Sequence, residues 1–328
     1  MIRVYKTFEI SDDLWAQIAD GFNESFEGHS TTSQSLKESF YVRNQWGYAY
    51  HAVASEDNTG ELIGFTTYTP NLYMDNLKIL VSGSSFVRKK FRKDIFVFLD
   101  MINELKDKCS EEGFVVGLGV SNHNSLEYSL KFLGGILVGY LDYYILPVNI
   151  SKCLRKKCIQ PFNGISRFFA KMYLELMSIT SMIHNAKEKQ VKYALLSDED
   201  YLNARFPASI YKKYEKGNCC AYFRIVEETE ANNVRTAYLL DFRENGVRTK
   251  KALTKAVRFI VKNEICDAVM FVGWLRLKQH VLIKVPKRFI PKPLPLTYGP
   301  LNKKDKKIYE DMSDMNNWNF SLMNFDVR

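Results

Sequence analysis

Five of the six residues in Arg88-Lys89-Lys90-Phe91-Arg92-Lys93 are basic, and they stand immediately before a helical pattern. Asp94 can cap that helix, in which Ile95, Phe98, Leu99, Ile102 and Leu105 keep the three-four spacing of one apolar face. The first turn of a helix presents backbone N–H groups without intrahelical partners, and the helix dipole adds positive potential there. Cations crowded onto such a start suit the holding of a phosphate or pyrophosphate. The segment therefore points to a phosphate-bearing ligand.

The elements that would position this turn can be read on either side of it. Lys78–Val81 (KILV) has the composition of a buried strand and runs through Ser82-Gly83-Ser84-Ser85-Phe86-Val87 into the basic turn. Downstream, Phe114–Val120 is apolar enough for a central strand, and Ser121-Asn122-His123-Asn124-Ser125 opens a further helix that ends at Gly134-Gly135. Upstream, Ile2–Phe8 alternates as a strand, Ser11-Asp12-Asp13 caps a helix carrying Leu14, Ile18 and Phe22, and Ser33–Val42 continues as a second helix. Tyr48–Ala54 and Glu61–Tyr68 read as antiparallel strands joined through Asp57-Asn58-Thr59-Gly60. Tyr140–Val148 is the expected last strand of this half.

Residues 149–190 change character, with basic clusters followed by Phe168-Phe169, Met172-Tyr173 and Leu176 at helical spacing. Aromatics beside cations fit a connecting helix or one lying on a membrane surface, and Lys171 and Glu175 interrupt any spanning run. From about 191 the order of 79–120 recurs without usable identity. Ala237–Phe242 reads as a strand, Arg243–Thr249 as a polar turn, Ala252 to Val261 as a helix and Ala268–Val272 as a strand. Pro286–Pro295, with four prolines, is expected as a loop over a cleft. The expected domains are 1–150, a helical linker at 151–190, and 191–328.

A chain of 328 residues is long enough for two domains with separate cores. Aromatics at 14% suit two well-filled cores, and equally a surface that stacks on bases or sugar rings. A net charge of +9 favours an anionic partner, although Arg155-Lys156-Lys157 and Lys303-Lys304…Lys306-Lys307 also read as solvated loops. The cysteines (109, 153, 158, 219, 220 and 266) form no Cys-x-x-Cys pair, and no histidine spacing completes a metal site. Reduced thiols are the default for a chain that needs no disulfide staples. The segment Met-Ile-Arg-Val-Tyr-Lys lacks an apolar signal region, and no apolar run approaches the roughly 20 residues of a membrane span. A cytoplasmic protein is expected. There is no P-loop, His-Glu-x-x-His or Gly-x-Ser-x-Gly, and Gly117-x-Gly119 lacks a third glycine at Asn122.

At these residues the sequence resembles the GNAT superfamily of acyl-CoA N-acyltransferases. Phe86-Val87 and Phe91-Arg92-Lys93-Asp94-Ile95-Phe96 sit where the family has its pyrophosphate turn. Asn122, Ser125 and Lys131 keep the spacing of its Asn-x-x-Ala…Lys helix, and Leu133-Gly134-Gly135 stands in for Leu-Gly-Phe. Both turn glycines of the family are absent, and the family's general-acid tyrosine falls at Ser129, with Tyr128 beside it. The two-domain plan, with Arg205-Phe206-Pro207…Tyr211 and Trp318-Asn319-Phe320…Asp326, is similar to acyltransferases of bacterial surface-polysaccharide pathways.

The resemblance implies an α/β (α+β) fold of two tandem GNAT-like domains, each a central mixed, largely antiparallel sheet flanked by helices. It implies an N-acyltransferase that moves an acetyl or short hydroxyacyl group from CoA to the amine of a nucleotide-linked amino sugar, dTDP-linked in the expected case. Attack is direct, with both substrates bound. Backbone N–H groups at Ser85, Phe86 and Val87 would meet the oxyanion. Val87, Arg88, Arg92, Lys93, Asp94, Ile95, Asn122 and Ser125 would hold acyl-CoA. His123 and Tyr128 are the acid–base candidates, while His51 also reads as a core imidazole. Trp46, Tyr68, Arg205 and Trp274 are the acceptor candidates, and each also reads as a core residue. The second domain is expected to bind no CoA and to complete the acceptor site. An acceptor amine titrating near about 8 is roughly one-tenth neutral at pH 7, so its deprotonation costs only about 1.4 kcal/mol and a dedicated base is dispensable. No nucleic acid, metal or membrane span is expected. Two rival readings stay open: an aminoacyl-tRNA-dependent transferase, which would bind tRNA in a salt-dependent way and not CoA, and a non-catalytic GNAT-like binding module.

Overall fold

The computed structural model describes residues 1–26, 30–41, 44–94, 96–121, 123–154, 157–228, 233–290, 292–301 and 306–325. The chain gathers into two compact units. Unit 1 is Met1–Tyr140 with Lys192–Arg205 and Pro293–Trp318, and unit 2 is Leu141–Val191 with Phe206–Lys292 and Asn319–Arg328.

Unit 1 opens with β1 (Ile2–Lys6), α1 (Asp12–Ser25), α2 (Ser33–Tyr41), β2 (Tyr50–Ser55), β3 (Leu62–Tyr73) and β4 (Leu77–Val87). Then come α3 (Phe96–Glu111), β5 (Val116–Val120), α4 (His123–Phe132) and β6 (Ile136–Tyr140). β1 to β4 pair antiparallel in order, and β5 joins β4 in parallel with α3 as the crossover. The period of two along β2 sends Val53 to one face and Ala52 and Ala54 to the other. α1 and α2 cover the first face through Trp15, Ile18, Leu36 and Phe40, and α3 covers the second through Met101, Leu105 and Cys109. Ser11 starts α1, its Oγ accepting from the Leu14 N–H at 3.3 Å. A Cβ at Gly21 would stand 2.5 Å from the Phe86 ring, so only glycine lets α1 settle on β4.

β7 (Tyr143–Pro147), α5 (Ile150–Cys153) and α6 (Asn163–Ile183) open unit 2. The chain returns to unit 1 for β8 (Tyr193–Ala194) and α7 (Glu199–Arg205). Unit 2 resumes with β9 (Lys212–Lys216), β10 (Cys219–Glu228), β11 (Val234–Glu244), α8 (Lys250–Asn263), β12 (Ala268–Val272) and β13 (Ile283–Lys284). β14 (Pro295–Pro300) and α9 (Lys306–Met312) lie in unit 1, and β15 (Trp318–Asn319) carries the chain across once more. The second sheet runs β13-β7-β12-β11-β10-β9, with β11 and β12 parallel about α8 and the other pairs antiparallel. Thr249 caps α8 by accepting from the Ala252 N–H at 3.1 Å, and Leu253, Val257 and Ile260 are fully buried beneath it. Both units thus carry the mixed, largely antiparallel sheet with flanking helices that was expected.

The path between elements departs from expectation at three places. Tyr140–Val148 is not one strand: β6 ends at Tyr140, and β7 begins at Tyr143 to pair with β12 in the other unit. The stretch 151–190 is not a linker, because α6 packs on α8 and places Leu174 in the core of unit 2. Pro286–Pro295 is not wholly a loop, because Pro295 starts β14, which enters the order β1-β2-β3-β4-β5-β14-β6. Proline at the first residue of a strand sacrifices little of the ladder. The compact units therefore interleave, where consecutive domains were expected.

Two buried polar clusters specify the cores. In unit 1, His51 is fully buried, its ring nitrogens 2.9 Å from Thr7 Oγ1 and 3.1 Å from Thr67 Oγ1. Burial pulls its pKa from 6.5 to about 3, so the imidazole is neutral and structural. In unit 2, buried Asp241 accepts from Arg243 Nε at 2.6 Å and from Arg248 Nε at 2.7 Å. Burial alone would raise the Asp241 carboxyl, but the two guanidinium groups outweigh it and hold the pKa below the usual range. Arg248 also reaches Asn319 Oδ1 at 2.8 Å and Ser321 Oγ at 3.3 Å.

Two outcomes follow for stability. The folded state binds the His51 proton less well than the unfolded chain. Stability linked to this group is therefore complete above about pH 6.5 and falls as the pH drops toward 3, by up to about 1.4 kcal/mol per pH unit. Urea titrations from pH 7 to 4.5 check this, and His51→Asn should flatten that part of the slope. Asp241→Asn leaves Arg248 with Glu188, 3.7 Å away, as its remaining buried counter-charge and should cost about 3 kcal/mol in the unfolding of unit 2. A loss below about 1 kcal/mol would show that the network contributes little.

Candidate active site

The parallel register of β4 and β5 covers only Ile79 against Val116, Leu80 against Gly117 and Val81 against Leu118. Beyond it β4 continues to Val87 with β3 as its partner, while Gly119 and Val120 of β5 pair with Thr297 and Leu296 of β14. The two strands therefore part after Val81 and Leu118. Space opens beside β4 at that point, for a Cβ on Gly83 would meet nothing within 4 Å.

A β-bulge lies on the same strand, in its pairing with β3. Gly83 is opposite Thr67 and Phe86 is opposite Phe65, so Ser84 and Ser85 together face the single residue Thr66. Ser84 has a φ of 47°, in the left-handed region, at a cost on the order of 1 kcal/mol for a residue with a Cβ. Ser85 Oγ lies 2.7 Å from Thr66 Oγ1 and donates to Gly83 O at 3.3 Å, which fixes the distortion. A bulge leaves its extra residue outside the ladder, so the strand turns backbone polar groups toward the opening.

The basic turn follows directly, and its cations divide into two sets. Arg88 is committed to α1 and β3: its guanidinium lies 3.5 Å from Glu61, 3.8 Å from Glu24 and 3.4 Å from Gln17 O. Lys90 pairs with Glu61 as well. Lys89, Arg92 and Lys93 are exposed, Arg92 steadied by its Nε donating to Val87 O at 2.8 Å. Asp94 Oδ1 accepts from the Phe96 N–H at 2.9 Å and caps α3, as the sequence suggested. Ile95 and Asn122 lie outside the described residues.

On the far side of the parting, α4 starts at His123, whose side chain also lies outside the described set, and Ser125 is exposed on its first turn. The Tyr128 ring packs 5.7 Å from Phe98 of α3 and 5.2 Å from Phe132, which sets it beside the first turn of α3. Burial, then the Asp100 charge, raises its phenol pKa, so Tyr128 keeps its proton at neutral pH. α4 ends where Gly134 takes φ 65° and Ser129 O accepts from the Gly135 N–H at 2.9 Å, which accounts for the glycine pair.

Of the four acceptor candidates, Trp46 and Tyr68 belong to one hydrophobic cluster of unit 1, Arg205 ends α7 and Trp274 lies in unit 2. Trp46 packs 5.7 Å from Phe114, just before β5, at the end of the strand pair remote from the parting. Tyr68 pairs with Ser82 in register, but its side chain is buried on the α3 face beneath Gly117, and burial raises its pKa. Arg205 is buried at the end of α7 in unit 1. Trp274 is buried in unit 2, its N–H donating to Phe320 O at 2.9 Å. Sequence reasoning missed the bulge, although a glycine followed by two serines within a strand was a usable signal. It also missed Thr297, for which a proline-rich stretch gave none.

In unit 2, β11 and β12 hold register from Thr236 against Ala268 to Tyr238 against Met270. Past it, residues 319–324 are bonded toward both strands. Ser321 bridges Gly273, the Trp274 N–H meets Phe320 O, and Arg248, beyond β11, holds Asn319 and Ser321. A Cβ at Gly273 would lie 2.5 Å from that of Ser321, so glycine is required there.

No protein-family model matches the sequence, and no curated protein matches it. Solved structures do. A GCN5-related N-acetyltransferase from Anabaena variabilis ATCC 29413 matches with a TM-score of 0.55 at 10% identity, over 92% of this chain and 73% of its own. One from Kribbella flavida gives 0.55 at 10% identity over 92% and 72%. Eis1 from Mycobacterium abscessus gives 0.50 at 9% identity over 92% and 74%. At such identities the likeness is one of architecture: along most of its length the chain has the fold of GCN5-related N-acetyltransferases.

Proposed function

We propose that the chain is an acyl-CoA-dependent N-acyltransferase whose chemistry takes place at the parting of β4 and β5. The observation that carries this reading is the coincidence of the Ser84–Ser85 bulge, the open space at Gly83 and the exposed cations Lys89, Arg92 and Lys93 on one strand-to-helix connection. Those residues fit acyl-CoA, which would supply an activated thioester. Lys89, Arg92, Lys93 and the start of α3 would hold its diphosphate. Arg88 is removed from that set by its contacts with Glu24 and Glu61.

The chain's own contribution is then mostly electrostatic. Backbone N–H groups at the bulge offer hydrogen bonds to an oxyanion as it develops, a preorganised contribution of several kcal/mol in comparable sites. We assign Tyr128, whose raised pKa keeps it protonated, as the proton donor to the departing thiolate. The amine forms the new C–N bond, the C–S bond breaks, and the surplus amine proton passes to solvent. We take the acceptor to be the amine of a nucleotide-linked amino sugar, dTDP-linked in the first instance. The similarity of the two-domain plan and the net charge of +9 support that choice. We place the protein in the cytoplasm, where acyl-CoA is supplied; among the described residues no helix is long and apolar enough to cross a membrane.

Calorimetric titration with acetyl-CoA and CoA should show binding. Replacing Arg92 and Lys93 together by alanine should weaken it about tenfold, or about 1.4 kcal/mol. Arg88→Ala should leave the affinity within about twofold and instead lower Tm, because it releases Glu24 and Glu61 from their cation. Tyr128→Phe should reduce kcat about 100-fold with KM little changed. Absence of CoA binding by a folded sample would sink the proposal, and salt-dependent tRNA binding in its place would favour an aminoacyl-tRNA-dependent transferase.

A further inference from the structure

Helix α6 buries its small and polar residues and exposes its large apolar ones. Ala170, Leu174, Ser178 and Ser181 face unit 2, and only leucine among them is large. The opposite side keeps a strict heptad from Phe162 to Ile183. Phe162, Phe169, Leu176 and Ile183 occupy the a positions, with Ile165, Met172 and Ile179 at d. All seven are exposed, from 44% at Met172 to 68% at Ile183, and Phe168 and Met182 widen the stripe at g. With on the order of 100 Å² from each side chain, the stripe offers roughly 900 Å², against about 800 Å² per partner in a standard interface and about 300–600 Å² for the largest patch of a typical monomer.

A repeat of three and four residues specifies a second helix rather than a flat surface. A helix lying on an anionic bilayer is flanked by lysine and arginine. Here the flank carries Lys171 together with Glu175, and Glu175 is already joined to Arg258 at 2.5 Å and Lys262 at 2.8 Å. The stripe is also self-complementary when reversed. Its aromatics stand in the N-terminal half (Phe162, Phe168, Phe169) and its aliphatics in the C-terminal half (Leu176, Ile179, Ile183). An antiparallel pair centred on Met172 sets Phe168 of one helix opposite Leu176 of the other, Phe162 opposite Met182 and Ile165 opposite Ile179, with Phe169 beside Glu175, and it opposes the two helix dipoles. A two-fold axis requires that kind of self-matching.

We propose that two copies of this chain associate through α6, packed antiparallel about a two-fold axis at Met172. Sedimentation of the full chain at about 100 µM should give twice the 38.1 kDa of one chain. Phe169→Glu and Leu176→Glu, both on the exposed side, should each raise the dimer Kd at least about tenfold while far-UV circular dichroism stays unchanged. In a Cys158→Ser background, Met172→Cys should form a disulfide-linked dimer on mild oxidation, and Ile165→Cys should not. A monomer at that concentration, or a dimer indifferent to both charged variants, overturns the proposal. So does a wild-type monomer that pellets with phosphatidylserine vesicles and loses this with Phe169→Glu, since the bilayer would then be the occupant. Cross-linking through Ile165→Cys, with or without Met172→Cys, overturns the antiparallel arrangement.

Discussion

Two parallel strands stay paired only while they run alongside one another, and in unit 1 the ladder between β4 and β5 ends at Val81 and Leu118. β3 keeps hold of β4 as far as Val87 on one side, and β14 pairs with β5 from Val116 to Val120 on the other. β3 and β14 lie on the outer edges of this pair, so past Val81 and Leu118 the facing edges of β4 and β5 have no ladder partner among the described residues and their backbone groups face the opening. The bulge at Ser84–Ser85 adds distortion on the same strand, and the helix that begins after the turn adds its dipole. Cleft, hydrogen-bond donors and positive potential thus come from one divergence of strands.

Unit 2 repeats the divergence and uses it differently. There the chain's own residues 319–324 meet the groups past the end of the β11–β12 register, and Arg248 joins that segment to the buried Asp241. The same topology yields an opening in one unit and a packed polar core in the other. What separates them is whether a further stretch of chain comes back to fill the gap.

The parts legible in the sequence were local. The basic run, the Asp94 cap, the apolar faces of α3 and α8 and the antiparallel pairing of β2 with β3 depend on residues near one another along the chain. Side-chain destination was less legible. Arg88 and Arg92 are the same residue type four positions apart, yet one is drawn to Glu24 and Glu61 and the other is exposed, and only the position of α1 decides between them. Trp46 and Trp274 have the right chemistry to stack on a ligand, but burial, which composition does not report, consumes Trp274 and distance removes Trp46. β14 was hidden because four prolines mask a short strand whose partners lie far upstream in sequence.

That late strand has a consequence for how the protein is made. A ribosome releases β5 and β6 long before residues 295–300 exist, so during synthesis both strands carry open edges awaiting a neighbour. The entropy of closing so long a loop grows only logarithmically and is bearable at equilibrium, but the search is slow and the waiting edges are sticky. The first 140 residues therefore do not constitute a separable module, despite their near-complete sheet. A gene cut at any single point leaves at least one unit with a missing strand or segment.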